Sequence, residues 1–132
     1  MSRGRTIAGL VAAAILLLSS AAHSLLGWPG IRAQLESANA PADLVKGMQV
    51  GWLFGGVSML AFGVIALIIF TRRLRGASVS TTPALVAGVA YLAFGAWALA
   101  ANDFAPFYFI FVVPAVLLLV ASTGKETAHG AS

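Results

Sequence analysis

The chain has 132 residues, of which 60% are hydrophobic and 9% are charged, and its formal net charge is +4. Soluble globular domains are about 45–50% apolar and about 25% charged, so this composition excludes an ordinary soluble domain. The length allows one domain over residues 1–132. The chain has no cysteine, which excludes disulfides, thiolate metal sites and cysteine nucleophiles.

Long apolar runs predict a bundle of membrane-spanning helices. Four uncharged runs cover residues 6–31, 47–71, 76–102 and 104–124. Each holds the roughly 20 residues that a helix needs to cross a hydrocarbon layer, whereas barrel strands are about ten residues long and alternate in polarity. We therefore predict an all-α integral membrane four-helix bundle, with spans at about 6–28, 44–70, 82–101 and 104–121.

The first run also has features of a secretory signal peptide. Arg3 and Arg5 precede an apolar centre, and small residues at 19–22 offer a cleavage site. The apolar run nevertheless continues to Trp28, and tryptophan is typical of the membrane interface. We therefore expect this segment to remain as a membrane helix.

The connections between the runs are short. Residues 29–43 form the longest one and are predicted to be either an ordinary loop or a helix on the membrane surface, with Arg32 and Glu36 spaced as an ion pair. Asn102 and Asp103 leave room for only a tight turn, so the third and fourth spans are predicted to form an antiparallel hairpin. The polar tail at 122–132 is predicted to be flexible.

Lysine and arginine residues predict the orientation. Six lie on the side that holds both termini and the loop after the second span, and two, Arg32 and Lys46, lie on the other side. Because loops rich in these residues stay in the cytoplasm, both termini are predicted to be cytoplasmic. The chain is then a multi-pass protein of the bacterial inner membrane. The basic residues are interpreted as signals that set the membrane topology. The predicted partner is therefore the lipid bilayer and not a nucleic acid.

Glycines mark the faces through which the spans are predicted to pack, because small residues let membrane helices approach closely. Gly47, Gly51 and Gly55 recur every four residues on one face of the second span. The predicted packing set also includes Gly63 in that span, and Gly88 and Gly95 in the third.

Two segments of the chain are similar to each other. Residues 55–67 and 87–99 are identical at eight of thirteen positions. They run in opposite directions through the predicted bundle, so a two-fold axis in the membrane plane is one interpretation. Another is chance similarity of composition. We favour a shared packing motif in which a phenylalanine ring lies beside a glycine.

His23 is the ionisable residue inside a predicted span, and such residues are candidates for function. Counting helical turns from the outer ends of the first two spans predicts a similar depth for His23 and Gln49. Asp43, Lys46 and Trp52 are then also expected near His23 on the outer side. A neutral imidazole there could bind a metal, a haem or a quinone carbonyl, or relay a proton. The alternative is a histidine bonded to a backbone carbonyl or to water. His23 is the only candidate metal ligand, and no cofactor is expected.

Catalytic signatures are missing from the sequence, which has no Gly-x-Ser-x-Gly or His-Glu-x-x-His motif and no carboxylate pair inside a span. The favoured function is a non-enzymatic membrane subunit or scaffold, as a homo-oligomer or within a larger membrane complex. One alternative is a ligand-, metal-, haem- or quinone-binding module centred on His23 and Gln49. A small oligomeric transporter is a further alternative.

Two stretches carry a resemblance, His23-Ser24-Leu25-Leu26-Gly27-Trp28 and Gly51-Trp52-Leu53-Phe54-Gly55-Gly56. They resemble the small uncharacterised four-helix inner-membrane proteins of bacteria. The resemblance implies a membrane location and no activity. Fluoride channels of similar size carry a polar break rich in threonine and serine, and small multidrug transporters carry a carboxylate in their first helix. Neither feature is found in this sequence.

Overall fold

The computed structural model describes residues 2–123, and within them every regular element is helical. In chain order the helices are α1 (Arg3–Ala22), α2 (Trp28–Ser37), α3 (Ala42–Leu74), α4 (Thr82–Ala101) and α5 (Phe109–Ser122). A π-helical turn, His23–Gly27, joins α1 to α2, and a 3₁₀ turn, Pro106–Tyr108, leads into α5. The chain therefore forms four helical segments, and the predicted all-α fold is confirmed. Residues 124–132 of the predicted flexible tail lie outside the described residues.

The first helical segment is longer than predicted, because it continues from Arg3 to Ser37 instead of ending near Trp28. Pro29 cannot donate an amide proton to the carbonyl four residues earlier. The wide π turn ends at Gly27, two residues before Pro29, and the backbone stays helical through the proline. Of the two predictions for residues 29–43, a loop or a helix, the structure has a helix up to Ser37, and the connection to α3 consists of residues 38–41.

Three segments are long and apolar enough to cross a membrane, namely Arg3–Ser37, Ala42–Leu74 and Thr82–Ala101. The fourth apolar segment, Pro106–Ser122, has 17 residues, or about 26 Å at 1.5 Å per residue. That length lies at the lower end of the range of membrane helices. Length and composition thus identify three candidate spans and one shorter apolar segment.

The helices pack as two pairs, α1 with α3 and α4 with α5, and α1 also lies against α5. Helices α3 and α4 follow each other in the chain but make few contacts with each other. The order around the bundle is therefore α3, α1, α5, α4, with a gap between the first and last members. The close pairing of α4 with α5 agrees with the hairpin predicted from Asn102 and Asp103.

Small side chains bring the helices together in the core. Gly9 of α1 is buried, and a side chain there would overlap the ring of Phe70 in α3. Phe70 itself is completely buried. The core also contains fully buried alanines: Ala12, Ala13, Ala66, Ala84, Ala115 and Ala121. Alanine and glycine at these positions let the helix backbones approach closely.

The structure divides the glycines that were predicted to pack. A Cβ added at Gly63 would lie 2.9 Å from Leu17, one at Gly88 would lie 3.1 Å from Leu118, and one at Gly95 would lie 3.0 Å from Val112. These three glycines contact a neighbouring helix.

Gly47 and Gly51 differ, because a Cβ at either position would have nothing within 4 Å. Only Gly55 of that predicted face has a close neighbour, the His23 ring. The prediction that Gly47, Gly51 and Gly55 together form a packed face therefore needs correction. Within one copy of the chain, only Gly55 packs against another helical segment. The reason is that Gly47 and Gly51 border an open cavity where a helix was expected.

Candidate functional site

His23 and Trp52 join the first helical segment to α3 through two reciprocal hydrogen bonds. His23 Nε2 lies 2.9 Å from the Trp52 carbonyl oxygen, and Trp52 Nε1 donates to the His23 carbonyl at 2.7 Å. The two rings are stacked, with centroids 4.3 Å apart and planes inclined by 3°. A carbonyl can only accept a hydrogen bond, so Nε2 carries the proton of the neutral imidazole.

The local backbone makes room for this pair. In the π turn, the Trp28 amide donates to the His23 carbonyl, five residues earlier, and that carbonyl also accepts the Trp52 indole. A Cβ at Gly27 would lie 3.0 Å from the Trp52 ring, and one at Gly55 would lie 3.1 Å from His23 Nε2. Glycine at both positions therefore allows the stacked rings to fit between the helices. Such π turns are often found at functional sites.

A serine reinforces the same helix pair. The buried Ser20 hydroxyl donates to the Gly56 carbonyl at 2.7 Å. A side chain at Gly56 would overlap the Ser24 hydroxyl. The C-terminal part of α1 and the middle of α3 are thus held together by polar contacts, in addition to the apolar packing near Phe70.

The other predicted site residues do not join His23. Asp43, Lys46 and Gln49 are exposed, and none of them makes a hydrogen bond or ion pair to His23 in the described part of the chain. Asp43 lies nine residues before Trp52, which at about 100° per residue places it on the opposite side of α3. The predicted convergence of these residues therefore needs correction, and only Trp52 contacts His23. Residues 2–123 contain no cluster of three or more metal-ligating side chains.

A cavity of about 560 Å³ opens beside the His23–Trp52 pair. A second cavity of about 600 Å³ lies between α3 and α4 and shares six lining residues with the first. The shared residues are His23, Trp52, Met59, Tyr91, Phe94 and Phe111. We call the combined space the α3/α4 cleft. Each part falls within the size range of small-molecule sites, about 300–1,000 Å³.

The wall of the α3/α4 cleft is mostly aromatic. At one end Trp97, Phe107 and Tyr108 line it, and deeper in the bundle Tyr91 lies between the rings of Phe62 and Phe111. The ring centroids of Tyr91 and Phe62 are 5.9 Å apart, and those of Tyr91 and Phe111 are 6.2 Å apart. Such a lining favours flat, apolar ligands.

The two similar segments of the sequence form the opposite walls of the α3/α4 cleft. Corresponding side chains line it, Met59 and Phe62 from α3 and Tyr91 and Phe94 from α4. On the far faces, Gly63 packs against α1 and Gly95 packs against α5. The sequence analysis missed Tyr91. Comparing the two segments provides the signal, because Tyr91 occupies the position of Met59 in the other copy.

No family model matches the chain, and no match was found among curated proteins or solved structures. The fold and the cleft define its class. Over residues 2–123 it is an all-helical protein with three segments long and apolar enough to cross a membrane. An aromatic cleft separates α3 from α4.

Proposed function

We propose that the chain is a non-enzymatic integral membrane protein that binds an apolar molecule in the α3/α4 cleft. The observation that carries the proposal is the aromatic cleft between two helices that make few contacts with each other. A molecule dissolved in the bilayer reaches this space sideways, between α3 and α4. Pockets between helices of a bundle are frequent binding sites.

In the same proposal, all four helical segments cross the bacterial inner membrane and both termini are cytoplasmic. The distribution of lysine and arginine supports this orientation, with six on the terminal side and two on the other. Tryptophan and phenylalanine side chains at the opposite end of the bundle also support it. Trp97, Phe104 and Phe107 are exposed there, as is typical of an interfacial aromatic belt.

Reporter fusions test the orientation. A reporter that is active only in the cytoplasm is expected to give signal when fused after Ser132 or inserted in the loop at 76–80. It is expected to give none when inserted at 38–41. Signal from the 38–41 insertion, or none from the C-terminal fusion, would contradict the proposed topology. Inserting a charged linker within α3 provides the control for correct membrane insertion.

Blocking the α3/α4 cleft tests the binding function. Ala90 is exposed and lines the cleft, whereas Ala93 on the same helix is exposed and does not line it. We expect protein purified in lipid nanodiscs to retain an apolar molecule that mass spectrometry detects in its extract. The Ala90→Trp variant is expected to lose most of that molecule, and Ala93→Trp is expected to keep it. Equal amounts in both variants would contradict the proposal.

A membrane subunit or scaffold is the second candidate. The open space beside Gly47 and Gly51 favours it, because a helix of another chain can approach such a surface closely. The same preparations discriminate between the two candidates. A scaffold gives a defined oligomer that Gly51→Leu dissociates without lowering thermal stability. A monomer that carries the apolar molecule contradicts the scaffold, and an oligomer without one contradicts the binding function.

A further inference from the structure

Ser19 and His23 of the first helical segment line the α3/α4 cleft one helical turn apart. Residues at this spacing on a helix have Cβ atoms about 5–6 Å from each other. Within residues 2–123 the Ser19 hydroxyl makes no hydrogen bond, and the His23 ring makes one, through Nε2. The Ser19 hydroxyl and His23 Nδ1 therefore both lack a partner.

Both atoms are open to the cleft. Among the partly or fully buried residues of 2–123, the polar side-chain atoms that are covered and without a partner are the Tyr91 and Ser122 hydroxyls. Ser19 and His23 are only partly buried. The Ser58 hydroxyl donates to a carbonyl one turn earlier, as helix serines often do, whereas that of Ser19 does not. A ligand in the cleft can therefore reach Ser19 Oγ and His23 Nδ1, but not the Tyr91 hydroxyl.

Depth distinguishes this pair from the free donors at the outer end of the cleft. Trp97 and Tyr108 also line the cleft without a hydrogen bond in residues 2–123, but in the proposed orientation they lie at the membrane interface, where water is available. Ser19 lies nine residues before Trp28, which corresponds to about 14 Å at 1.5 Å per residue. At that depth the hydrocarbon layer offers no hydrogen-bond partner, so a ligand has to supply it.

The protonation of His23 defines what the ligand must contain. Nε2 donates its proton to the Trp52 carbonyl, so Nδ1 of the neutral imidazole can only accept a hydrogen bond. A molecule whose polar atoms are carbonyl oxygens has no proton for it. A metal ion would need further ligands, and residues 2–123 hold no group of three or more metal-ligating side chains. A hydroxyl group fits, because its oxygen both donates to Nδ1 and accepts from Ser19 Oγ.

The spacing and the charge of the site narrow the class of ligand. One oxygen atom with two hydrogen bonds of about 2.8 Å can bridge side chains one helical turn apart. No Asp, Glu, Lys or Arg side chain of residues 2–123 lines either part of the cleft, so a carboxylate or a phosphate there would lack a counter-ion. The wall around the pair is mostly aromatic or aliphatic. The ligand is therefore an uncharged hydrocarbon that carries a hydroxyl group.

We infer that the α3/α4 cleft binds a lipid alcohol, whose hydroxyl group donates to His23 Nδ1 and accepts from the Ser19 hydroxyl; this rests on the proposed function. The hydrocarbon part of the alcohol lies against the rings of Phe94 and Phe111, which line both parts of the cleft. It leaves the cleft between α3 and α4, where few contacts close the gap. The reciprocal bonds between His23 and Trp52 hold the imidazole in the tautomer that this ligand needs.

Nitrogen NMR of histidine provides a direct test. The chain has two histidines, so the His129→Gln variant labelled with ¹⁵N-histidine leaves His23 as the source of the imidazole signals. In lipid bilayers the ligand-free protein is expected to show the tautomer protonated at Nε2, with an Nδ1 that accepts no hydrogen bond. Farnesol, an isoprenoid alcohol, is expected to move the Nδ1 resonance upfield until the site is saturated. An unchanged resonance, or one already in its hydrogen-bonded position because water fills the site, would overturn the inference.

A series of related ligands separates this inference from the proposed function. Farnesyl methyl ether keeps the oxygen atom but has no proton to donate, and farnesene has no oxygen. Titration in nanodiscs, followed by the fluorescence of Trp52 and Trp97 in the cleft wall, gives the dissociation constants. Those of the ether and of farnesene are expected to exceed that of farnesol by about three- to tenfold or more, as for a lost neutral hydrogen bond. If all three bind equally, the inference fails while the proposed function stands, and if none binds, both fail.

Ser19→Ala removes the donor of the pair, and Ser58→Ala is its matched control. Ser19→Ala is expected to raise the dissociation constant of farnesol about three- to tenfold. Ser58 also lines the cleft, but its hydroxyl donates to the Phe54 carbonyl, so Ser58→Ala is expected to bind farnesol as the wild type does. The melting temperature of ligand-free Ser19→Ala is expected to stay the same or rise, because an unpartnered hydroxyl is removed. A lower melting temperature, or equal farnesol affinity in Ser19→Ala and the wild type, would overturn the inference.

Discussion

Replacing Gly9 with alanine is expected to lower the free energy of unfolding by about 1–3 kcal/mol, the usual cost of overfilling a packed core. The added methyl group overlaps the ring of Phe70. That ring is completely buried against the α1–α3 interface, so it cannot turn away without displacing other side chains. Reversible unfolding in mixed detergent micelles measures the change.

Gly4 offers a matched control on the same helix. A Cβ at Gly4 meets nothing within 4 Å, and alanine favours a helix by up to about 1 kcal/mol over glycine. Gly4→Ala is therefore expected to leave stability unchanged or slightly higher. Combining Gly9→Ala with Phe70→Leu should cost less than the sum of the single changes, because the smaller side chain leaves room for the methyl group. Equal effects at Gly4 and Gly9 would contradict the packing described for Phe70.

Removing the contact between His23 and Trp52 is also expected to lower the free energy of unfolding. His23→Ala removes the stacked ring and one hydrogen bond, and Trp52→Phe removes the other hydrogen bond while keeping an aromatic ring. Each change is expected to cost about 1–3 kcal/mol. The double variant is expected to cost less than the sum, by about 1–2 kcal/mol, since contacting residues couple by 0.5–3 kcal/mol.

Trp97→Phe is the control for Trp52→Phe. Trp97 also lines the cleft, but it is 63% exposed, and changes at such surface positions usually cost less than about 0.5 kcal/mol. Strictly additive costs for His23→Ala and Trp52→Phe would show that the two residues stabilise the protein independently, against the reciprocal bonding described for them.

The helical fold follows from features that the sequence displays directly. Long uncharged runs contain enough residues for membrane-length helices, and the structure has helices at Ala42–Leu74 and Thr82–Ala101, where two of those runs lie. The end of the first helix was harder to predict. Proline usually interrupts a helix, but here the backbone stays helical from the π turn at His23–Gly27 through Pro29 to Ser37, and no local pattern predicts that turn.

The candidate site was only partly predictable. Position along the helices predicted that His23 lies at the same depth as the first turns of α3. That estimate made both Gln49 and Trp52 predicted neighbours of His23. Which of the two contacts His23 depends on how α3 is rotated about its axis. Glycine spacing alone did not determine that rotation. Tyr91 was missed because a tyrosine within an apolar run suggests core packing, and only the three-dimensional structure shows that its hydroxyl lacks a partner.

The contact between α1 and α5 has a consequence for the order of folding. Among the helices of residues 2–123, α1 is made first and α5 last, and yet they pack together in the core. The pair α1–α3 can form while synthesis continues, whereas α1 has no partner on its α5 side until α5 has been made. Contacts between such distant parts of a chain form slowly. Closure of the bundle, and with it the completed cleft, therefore follows the synthesis of α5.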